Sequence, residues 1–193
     1  MEMAAAAGII LVGKDKRPLE ATTYGVGEMI KDAIERGCRK FIIGIGGSAT
    51  NDGGIGMLTA LGYEFLDEDG EPAGIGADAL GKVVEIRTAN VLPELKECHF
   101  RVACDVTNPL CGENGATYIY GPQKGVTEEM REGLDEAMGS YAEVTKKSMG
   151  TDCALMEGAG AAGGLGFAFL SFLGAELLPG IELVLDAVGM EKA

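Results

Sequence analysis

The sequence predicts an α/β domain in which a mixed sheet is flanked by helices. Helical and strand patterns alternate along the chain, and a short apolar run of the kind that fills a buried strand leads directly into a glycine-rich loop. The chain has 193 residues, of which 47% are apolar and 24% are charged, so one domain can bury a core of its own. A single domain is therefore predicted over residues 1–193.

A helix followed by a strand is predicted in the first quarter of the chain. Either Thr22 or Thr23 can cap the helix, which runs to about Glu35 and ends at Gly37. The apolar run over residues 41–45 predicts a short strand that is buried on both faces. The glycine-rich loop follows this strand at its carboxyl end.

A short helix and three more strands are predicted in the middle of the chain. The pattern over residues 55–61 predicts the helix, and alternation over residues 63–66 predicts a strand that ends in an acidic turn with a glycine. Residues 82–87 and 100–106 alternate in the same way. Strands of both directions are therefore expected.

Three helices are predicted in the last third of the chain. The first covers residues 127–147, with acidic residues in its first turn and lysines in its last turn, which matches the helix dipole. A glycine-rich segment leads into the second, over residues 163–173. Pro179 precedes the third, over residues 181–188.

Both ends of the sequence resemble cuts in a longer chain. The apolar segment 1–12 has no capping residue or turn before it. The last helix stops at residues 191–193 without a glycine or proline terminator. We therefore expect that this chain is a piece of a larger protein.

Charge and hydropathy exclude several classes of protein. The formal net charge is −14 at pH 7 and no Lys/Arg cluster forms a stripe, so nucleic acid and anionic membrane surfaces would be repelled. No apolar run approaches the roughly 18 residues that a membrane-spanning helix needs. The expected partners are therefore small molecules.

The cysteines and the single histidine indicate the cellular compartment of the protein and the kind of metal site it can form. The five cysteines form no Cys-x-x-Cys pair and no basic segment at the start of the given sequence leads into an apolar signal core, which favours a reducing, cytoplasmic compartment. The single histidine has no clustered cysteines beside it, which argues against a zinc site. Any metal is expected to be oxygen-bound, such as magnesium.

The loop over residues 44–54 combines several glycines with polar side chains. Its glycines allow backbone N–H groups to approach an anion closely, at the strand end where α/β sheets place ligands. Ser48, Thr50 and Asn51 add hydroxyl and amide groups, and Asp52 adds a carboxylate. The loop suits a small polyhydroxylated acid or a phosphate. The alternative is a glycine-rich turn in which Asn51 and Asp52 are ordinary turn residues.

Several known nucleotide and hydrolase motifs fit poorly. Residues 158–163 match Gly-x-Gly-x-x-Gly and residues 44–49 match it loosely, but neither has the strand and helix context of a dinucleotide site. The Gly-x-x-x-x-Gly-Lys-Ser/Thr phosphate loop and the Gly-x-Ser-x-Gly elbow are both missing from the sequence. A dehydrogenase or a hydrolase is therefore disfavoured.

Asp105 is the second candidate carboxylate. It lies at the end of a predicted strand, close to Asn108, which Pro109 holds in an extended conformation. An acid in this position can bind magnesium or accept a proton from a substrate. The alternative role is to cap the turn before Pro109.

Lys124 is the candidate cation. It lies in the segment 121–125, between two glycines, and can neutralise a phosphate or carboxylate, or else remain a solvated loop lysine. Because a net charge of −14 repels anions, Lys124 and Arg101 are both expected near the site.

Six segments, in this order, resemble the bacterial type of glycerate kinase. They are Glu2-Met3-Ala4-Ala5-Ala6-Ala7-Gly8, Thr22-Thr23-Tyr24-Gly25-Val26-Gly27-Glu28, the loop from Ile43 to Gly54, Ala103-Cys104-Asp105-Val106 with Asn108-Pro109-Leu110-Cys111-Gly112, Tyr120-Gly121-Pro122-Gln123-Lys124-Gly125, and the run from Gly158 to Gly166. The resemblance covers essentially the whole chain.

The resemblance implies an enzyme that transfers the γ-phosphate of ATP, with Mg²⁺, to a hydroxyl of D-glycerate, and 2-phosphoglycerate is the favoured product. Family members are about twice as long and have two α/β domains, one inserted into the other, with the active site in the cleft. This chain lacks the family's first and last segments and resembles the inserted domain. Turnover would then need the missing domain of the same enzyme, and a non-catalytic module that binds a hydroxy acid or an anion is the alternative.

Each candidate residue has a hypothetical role in phosphoryl transfer, which depends on positioning and charge neutralisation. Asp105 or Asp52 would orient the attacking hydroxyl or hold Mg²⁺, and Lys124 would neutralise charge on the phosphoryl group. The predicted substrate-binding residues are Gly46, Gly47, Ser48, Ala49, Thr50, Asn51, Gly53 and Asn108.

Overall fold

The structure is a computed structural model that describes residues 1–190. Its helices and strands alternate as the sequence predicts. The helices are Ala4–Ala7 (α1), Ile9–Val12 (α2), Tyr24–Glu35 (α3), Ile55–Ala60 (α4), Ala116–Lys124 (α5), Glu128–Met149 (α6), Ala161–Leu173 (α7) and Gly180–Ala187 (α8). The strands are Lys40–Gly44 (β1), Glu64–Leu66 (β2), Glu85–Arg87 (β3), His99–Ala103 (β4) and Glu176–Leu178 (β5).

The strands form two separate sheets. One is parallel, in the order β1-β4-β5, with Phe41 opposite Phe100 and Val102 opposite Leu177. The other is an antiparallel pair, β2 and β3. The predicted α/β class with strands of both directions is confirmed. The parallel neighbours are joined by long crossover connections that contain helices, whereas residues 67–84, which include a 3₁₀ helix, join the antiparallel strands β2 and β3.

Several boundaries and elements differ from the predictions. The predicted strand over residues 82–87 begins only at Glu85, because a 3₁₀ helix occupies Ala77–Lys82. Strand β5 was not predicted, since it has only three residues and alternates weakly. No element was predicted over the segment 121–125. This segment ends α5, where Pro122 lies inside the helix and Gly125 stops it in a left-handed conformation.

The core lies beneath one face of the parallel sheet. The rings of Phe41 and Phe100 stack at 4.8 Å, and Phe169 of α7 packs on Phe100 at 6.1 Å. The prediction that β1 is buried on both faces is wrong, because Ile42 points away from this core and remains 45% exposed. Within residues 1–190, no helix is both long and apolar enough to cross a membrane.

The contact between α3 and α4 depends on a glycine. A Cβ at Gly27 would lie against the carbonyl oxygen of Met57 and 2.7 Å from the Cβ of Ala60. We therefore expect Gly27→Ala to lower the free energy of unfolding by about 1–3 kcal/mol, because the helices must separate. Denaturant titration measures this loss.

Gly133 provides the matched control for this substitution. It lies inside α6, and a Cβ there would have no neighbour within 4 Å. Gly133→Ala should be neutral or raise the free energy of unfolding by up to about 1 kcal/mol through helix propensity. Equal effects of the two substitutions would contradict close packing at Gly27.

Candidate functional site

A cavity of about 230 Å³ lies at the carboxyl ends of β1 and β4. Four segments surround it. They are residues 45–48 after β1, residues 103–106 at the end of β4, residues 120–124 in α5, and residues 161–162 at the start of α7. This is the edge of a parallel sheet at which α/β proteins bind ligands.

The first part of the predicted anion loop lines this cavity. Gly46, Gly47 and Ser48 are all on its surface, and Gly47 has a left-handed φ of 71°. Within residues 1–190, the N–H groups of these three residues have no hydrogen-bond acceptor. The carbonyl oxygen of Gly47 is fixed by the N–H of Ile9 at 2.8 Å. Three free amides therefore border the cavity, as an anion site requires.

The second part of the loop is buried behind the cavity and does not line it. The N–H of Ala49 donates to the carbonyl oxygen of Ala7 at 2.9 Å, and the N–H of Gly53 donates to that of Gly163 at 2.9 Å. The protein itself therefore occupies these amides. The predicted substrate-binding residues that lie outside the cavity lining are Ala49, Thr50, Asn51, Gly53 and Asn108.

Thr50 and Asn51 belong to a buried polar layer. The amide nitrogen of Asn51 donates to the hydroxyl of Thr117 in α5 at 3.0 Å. Within the described residues, Thr50 Oγ1 and Asn51 Oδ1 have no hydrogen-bond partner. The layer joins the loop to α5, the helix that carries Lys124.

Asp52 holds two helix starts together. Its carboxylate accepts hydrogen bonds from the N–H of Thr23 at 2.7 Å, from the Thr23 hydroxyl at 2.8 Å and from the N–H of Gly54 at 3.2 Å. The Thr23 hydroxyl in turn accepts from the N–H of Met57 in α4 at 2.9 Å. Burial raises the pKa of Asp52, and the hydrogen bonds from Thr23 and Gly54 oppose this. Its side chain is turned into the protein and does not line the cavity, so the geometry gives Asp52 a structural role and its predicted catalytic role stays a prediction.

Lys124 is a buried cation on the floor of the cavity. It lies in the last turn of α5, is 2% exposed, and its Nζ donates to the carbonyl oxygen of Thr50 at 2.6 Å. Burial lowers the pKa of Lys124 to about 7, and the charge of Asp52 opposes this. The alternative interpretation of Lys124 as a solvated loop lysine is therefore wrong. An anion in the cavity would favour the charged form of Lys124.

Asp105 is the carboxylate that lines the cavity. It is exposed, two residues beyond the end of β4. Its Oδ1 accepts a hydrogen bond from the N–H of Gly180, the first residue of α8, at 2.9 Å. Its Oδ2 has no partner within residues 1–190. One oxygen therefore secures α8 and the other is free to contact a ligand.

Tyr120 and Gln123 line the cavity and were missed by the sequence reasoning. The Tyr120 hydroxyl donates to Oδ1 of Asn108 at 2.6 Å, and Nδ2 of Asn108 donates to the carbonyl oxygen of Asn114 at 2.8 Å. Asn108 thus positions Tyr120. A helix prediction over α5 would have revealed both residues, because Tyr120 lies three and four positions before Gln123 and Lys124.

Arg101 does not contribute charge to the cavity. Its guanidinium pairs with Asp186 of α8 at 2.6 Å, and the side chain does not line the cavity. The expectation that Arg101 lies near the site is therefore wrong. Within residues 1–190, no group of three or more His, Cys, Asp or Glu side chains is arranged to hold a metal ion.

The lowered pKa of Lys124 predicts a pH dependence of stability. Its pKa is 10.5 for a solvated lysine side chain and about 7 in the fold, so between these values the unfolded chain binds more protons than the folded chain. The contribution of Lys124 to the free energy of unfolding therefore increases as the pH rises above about 7. Below about pH 7, Lys124 is charged in the fold, and burial of the ammonium lowers the free energy of unfolding by its full amount.

Lys124→Met removes this titration. The free energy of unfolding of the unsubstituted chain, minus that of Lys124→Met, should rise by about 2 kcal/mol between about pH 6 and about pH 8.5. Denaturant titrations of both proteins at each pH measure it, and the difference cancels the other titrating groups. A difference that does not change with pH would contradict the burial of a charged Lys124.

Comparison with known proteins places the chain in a family. The model of the glycerate kinase family matches residues 1–193. The chain is 52% identical to the glycerate 2-kinase of Escherichia coli (strain K12) over 193 residues, which are 100% of this chain and 51% of that protein. It is 50% identical to the glycerate kinase of Haemophilus influenzae over 187 residues, which are 96% of this chain and 50% of that protein.

A solved structure gives the same result for the fold. The crystal structure of a candidate glycerate kinase 2 from Salmonella typhimurium LT2 matches with a TM-score of 0.95 and 46% identity. The match covers 97% of this chain and 50% of that one. The chain thus spans about half the length of the curated relatives it matches. The family model covers the full length of the chain, and the two relatives named above are about 50% identical to it. The chain therefore belongs to the glycerate kinase family.

Proposed function

We propose that this chain is the inserted domain of a two-domain enzyme that transfers the γ-phosphate of ATP to a hydroxyl of D-glycerate. Membership of the family and the span of about half of each relative support this proposal. The observation that carries it is one cavity that combines free amides at residues 46–48, the buried cation Lys124 and the free Oδ2 of Asp105. The name of the Escherichia coli relative supports 2-phosphoglycerate as the product.

The cavity offers the two things that phosphoryl transfer requires, which are positioning and charge neutralisation. The free amides of residues 46–48 would bind a carboxylate or phosphate oxygen. Lys124 would neutralise the charge that develops on the phosphoryl group, and its burial strengthens this interaction. Asp105 would orient the attacking hydroxyl through Oδ2.

Magnesium fits the cavity only together with substrate. Asp105 supplies one carboxylate to the lining, and Mg²⁺ commonly binds one or two carboxylates together with substrate phosphates and water. When bound, Mg²⁺ would neutralise phosphate charge. Oδ2 of Asp105 is the oxygen that would hold it, so orienting the hydroxyl and holding the metal are alternative roles for this carboxylate.

We further propose that the enzyme acts in the cytoplasm. All five cysteines are free thiols, and none is paired in a disulfide. Free thiols are typical of a reducing compartment. The expected partners are D-glycerate, ATP and the second domain of the same enzyme.

A coupled assay for ADP tests the proposed function. The full-length enzyme, with D-glycerate, ATP and Mg²⁺, should form ADP, and ³¹P NMR of the product should show phosphate on the 2-hydroxyl. Calorimetry of the 193-residue chain with the same compounds tests what this half binds alone. Binding of D-glycerate by the full-length protein without ADP formation would favour the alternative, a non-catalytic module for small hydroxy acids.

A further inference from the structure

Ala162 has a backbone conformation that is unusual for its residue type. Within residues 1–190, it is the one non-glycine residue with a positive φ, at φ 53° and ψ 38°. Gly163 and Gly164 follow in left-handed conformations, so the chain makes a left-handed turn before the regular part of α7. An L-residue is disfavoured there because its Cβ approaches the following carbonyl oxygen, whereas glycine is not.

The packing of the turn explains its two glycines. A Cβ at Gly163 would collide with the carbonyl oxygen of Thr50, and one at Gly164 would lie 2.8 Å from the Cα of Gly53. The carbonyl oxygen of Gly163 also accepts the N–H of Gly53 at 2.9 Å. The turn therefore packs tightly against the loop that follows β1. This close packing leaves no space for a side chain at residues 163 and 164.

Ala162 differs from these two glycines because it is only partly buried, which leaves space for a side chain. It lines the cavity, on the same wall as Ala161 and together with Asp105 and Lys124. Glycine would adopt this conformation without strain, so the methyl group is present at a cost in stability. Strain of this kind is concentrated at ligand sites, where the surrounding structure holds it in place.

We propose that Ala162 is a specificity-determining residue whose methyl group limits the length of the hydroxy acid that the cavity accepts. This inference rests on the proposed function. The cavity has a volume of about 230 Å³, and Ala162, which is only partly buried, forms part of its wall. Removing it would admit an acid with one more carbon, such as D-erythronate, beside the three-carbon D-glycerate.

Two measurements on Ala162→Gly test the proposal. In the full-length enzyme, the ratio of kcat/KM for D-glycerate to that for D-erythronate should fall at least about fivefold, since a single carbon in a fitted pocket gives tenfold discrimination or more. The melting temperature should rise by about 2–4 °C, because the left-handed strain is relieved. A higher melting temperature with unchanged selectivity would overturn the proposal, since the methyl group would then be structural only.

Ala161→Gly is the matched control for stability. Ala161 lines the same cavity and lies one residue before the left-handed turn, but its own φ is not positive. This variant should lower the melting temperature, because glycine has more conformational freedom in the unfolded chain and Ala161 has no left-handed strain to relieve. If Ala162→Gly lowers the melting temperature as Ala161→Gly does, Ala162 is not strained and the inference fails.

Ala162→Ser keeps the wall and extends it by one hydroxyl. It should lower kcat/KM for D-erythronate further, by at least about threefold relative to D-glycerate. An increase in the relative use of D-erythronate would overturn the proposal. If the unsubstituted full-length enzyme phosphorylates neither acid, the proposed function fails and the inference fails with it, whereas turnover with unchanged selectivity in both variants overturns the inference alone.

Discussion

Replacing Lys124 with methionine is expected to lower kcat of the full-length enzyme about a hundredfold. Lys124 is the cation on the cavity floor, and methionine keeps most of its buried volume while it removes the charge. A preorganised charge in a buried site contributes 10²- to 10³-fold to the rate when it acts on the transition state. A coupled assay for ADP at saturating D-glycerate and ATP measures the loss. A loss below about tenfold would remove Lys124 from the mechanism.

Lys147→Met is the matched control. Lys147 is exposed in the last turn of α6, so this substitution changes the net charge by the same amount without touching the cavity. Its kcat should stay within about twofold of the unsubstituted enzyme, since exposed charges away from a site have small effects. Equal losses in the two variants would show that the net charge of the protein, and not the position of Lys124, is responsible.

The pH profile separates two roles of Lys124. The pKa of this side chain is about 7 in the ligand-free chain. If the ammonium form binds the anion, kcat/KM should fall as the pH rises above about 7. The pH profile of Lys124→Met should lack this decrease in kcat/KM. A rise in kcat/KM over the same range would instead indicate that neutral Lys124 accepts a proton.

Local signals were sufficient to predict helix α6 and strand β1. Helix α6 was predicted over 127–147 and is observed at Glu128–Met149, because acidic residues at its start, lysines at its end and a following glycine are all local features. Strand β1 was predicted within one residue of its observed bounds for the same reason. These residues favour one conformation whatever packs on them.

Helix α5 could not be predicted because its local signals conflict with its environment. Gly121 and Pro122 favour a loop, yet this part of the chain is helical, Gly121 lies close to Val126, and Thr117 of the same helix accepts a hydrogen bond from Asn51 in the buried layer. The burial of Lys124 follows from that packing and from the carbonyl oxygen of Thr50. Thr50 lies 74 residues from Lys124 in the sequence, so the sequence left both a cation at the site and a solvated lysine as open alternatives.

The sequence predicted a ligand site along the whole glycine-rich loop, and only the first part of the loop lines the cavity. Its polar residues indicated a ligand site, and the first of them, at residues 46–48, do border the cavity. Asp52 is equally polar, but its carboxylate accepts the N–H groups of Thr23 and Gly54, which would otherwise be buried without partners. The same residue types serve both purposes. Only the fold decides which of them face a ligand.

Asp105→Asn is the second substitution with a large expected effect, at least a tenfold loss of kcat in the full-length enzyme. Asparagine keeps an oxygen that can accept the N–H of Gly180, so the contact with α8 survives. What is lost is the negative charge, which either orients the attacking hydroxyl or holds Mg²⁺. Near-normal turnover would remove Asp105 from the mechanism.

Asp186→Asn controls for the position of α8. Asp186 pairs with Arg101 at 2.6 Å and tethers the other end of α8 without lining the cavity. Because the pair is partly exposed, its loss should cost less than about 1 kcal/mol of stability and leave kcat within about twofold. If Asp186→Asn loses as much activity as Asp105→Asn, then the docking of α8, and not the chemistry of Asp105, accounts for both.

Titration with Mg²⁺ distinguishes the two roles of Asp105. A carboxylate that holds the metal makes the apparent affinity for Mg²⁺ depend on it, because asparagine offers a neutral oxygen in place of an anion. In that case, raising the Mg²⁺ concentration should restore part of the activity of Asp105→Asn. A carboxylate that orients the hydroxyl acts after Mg²⁺ has bound, so its loss would persist at saturating metal. With Asp52 buried against Thr23, Asp105 is the carboxylate in this part of the site on which either outcome depends.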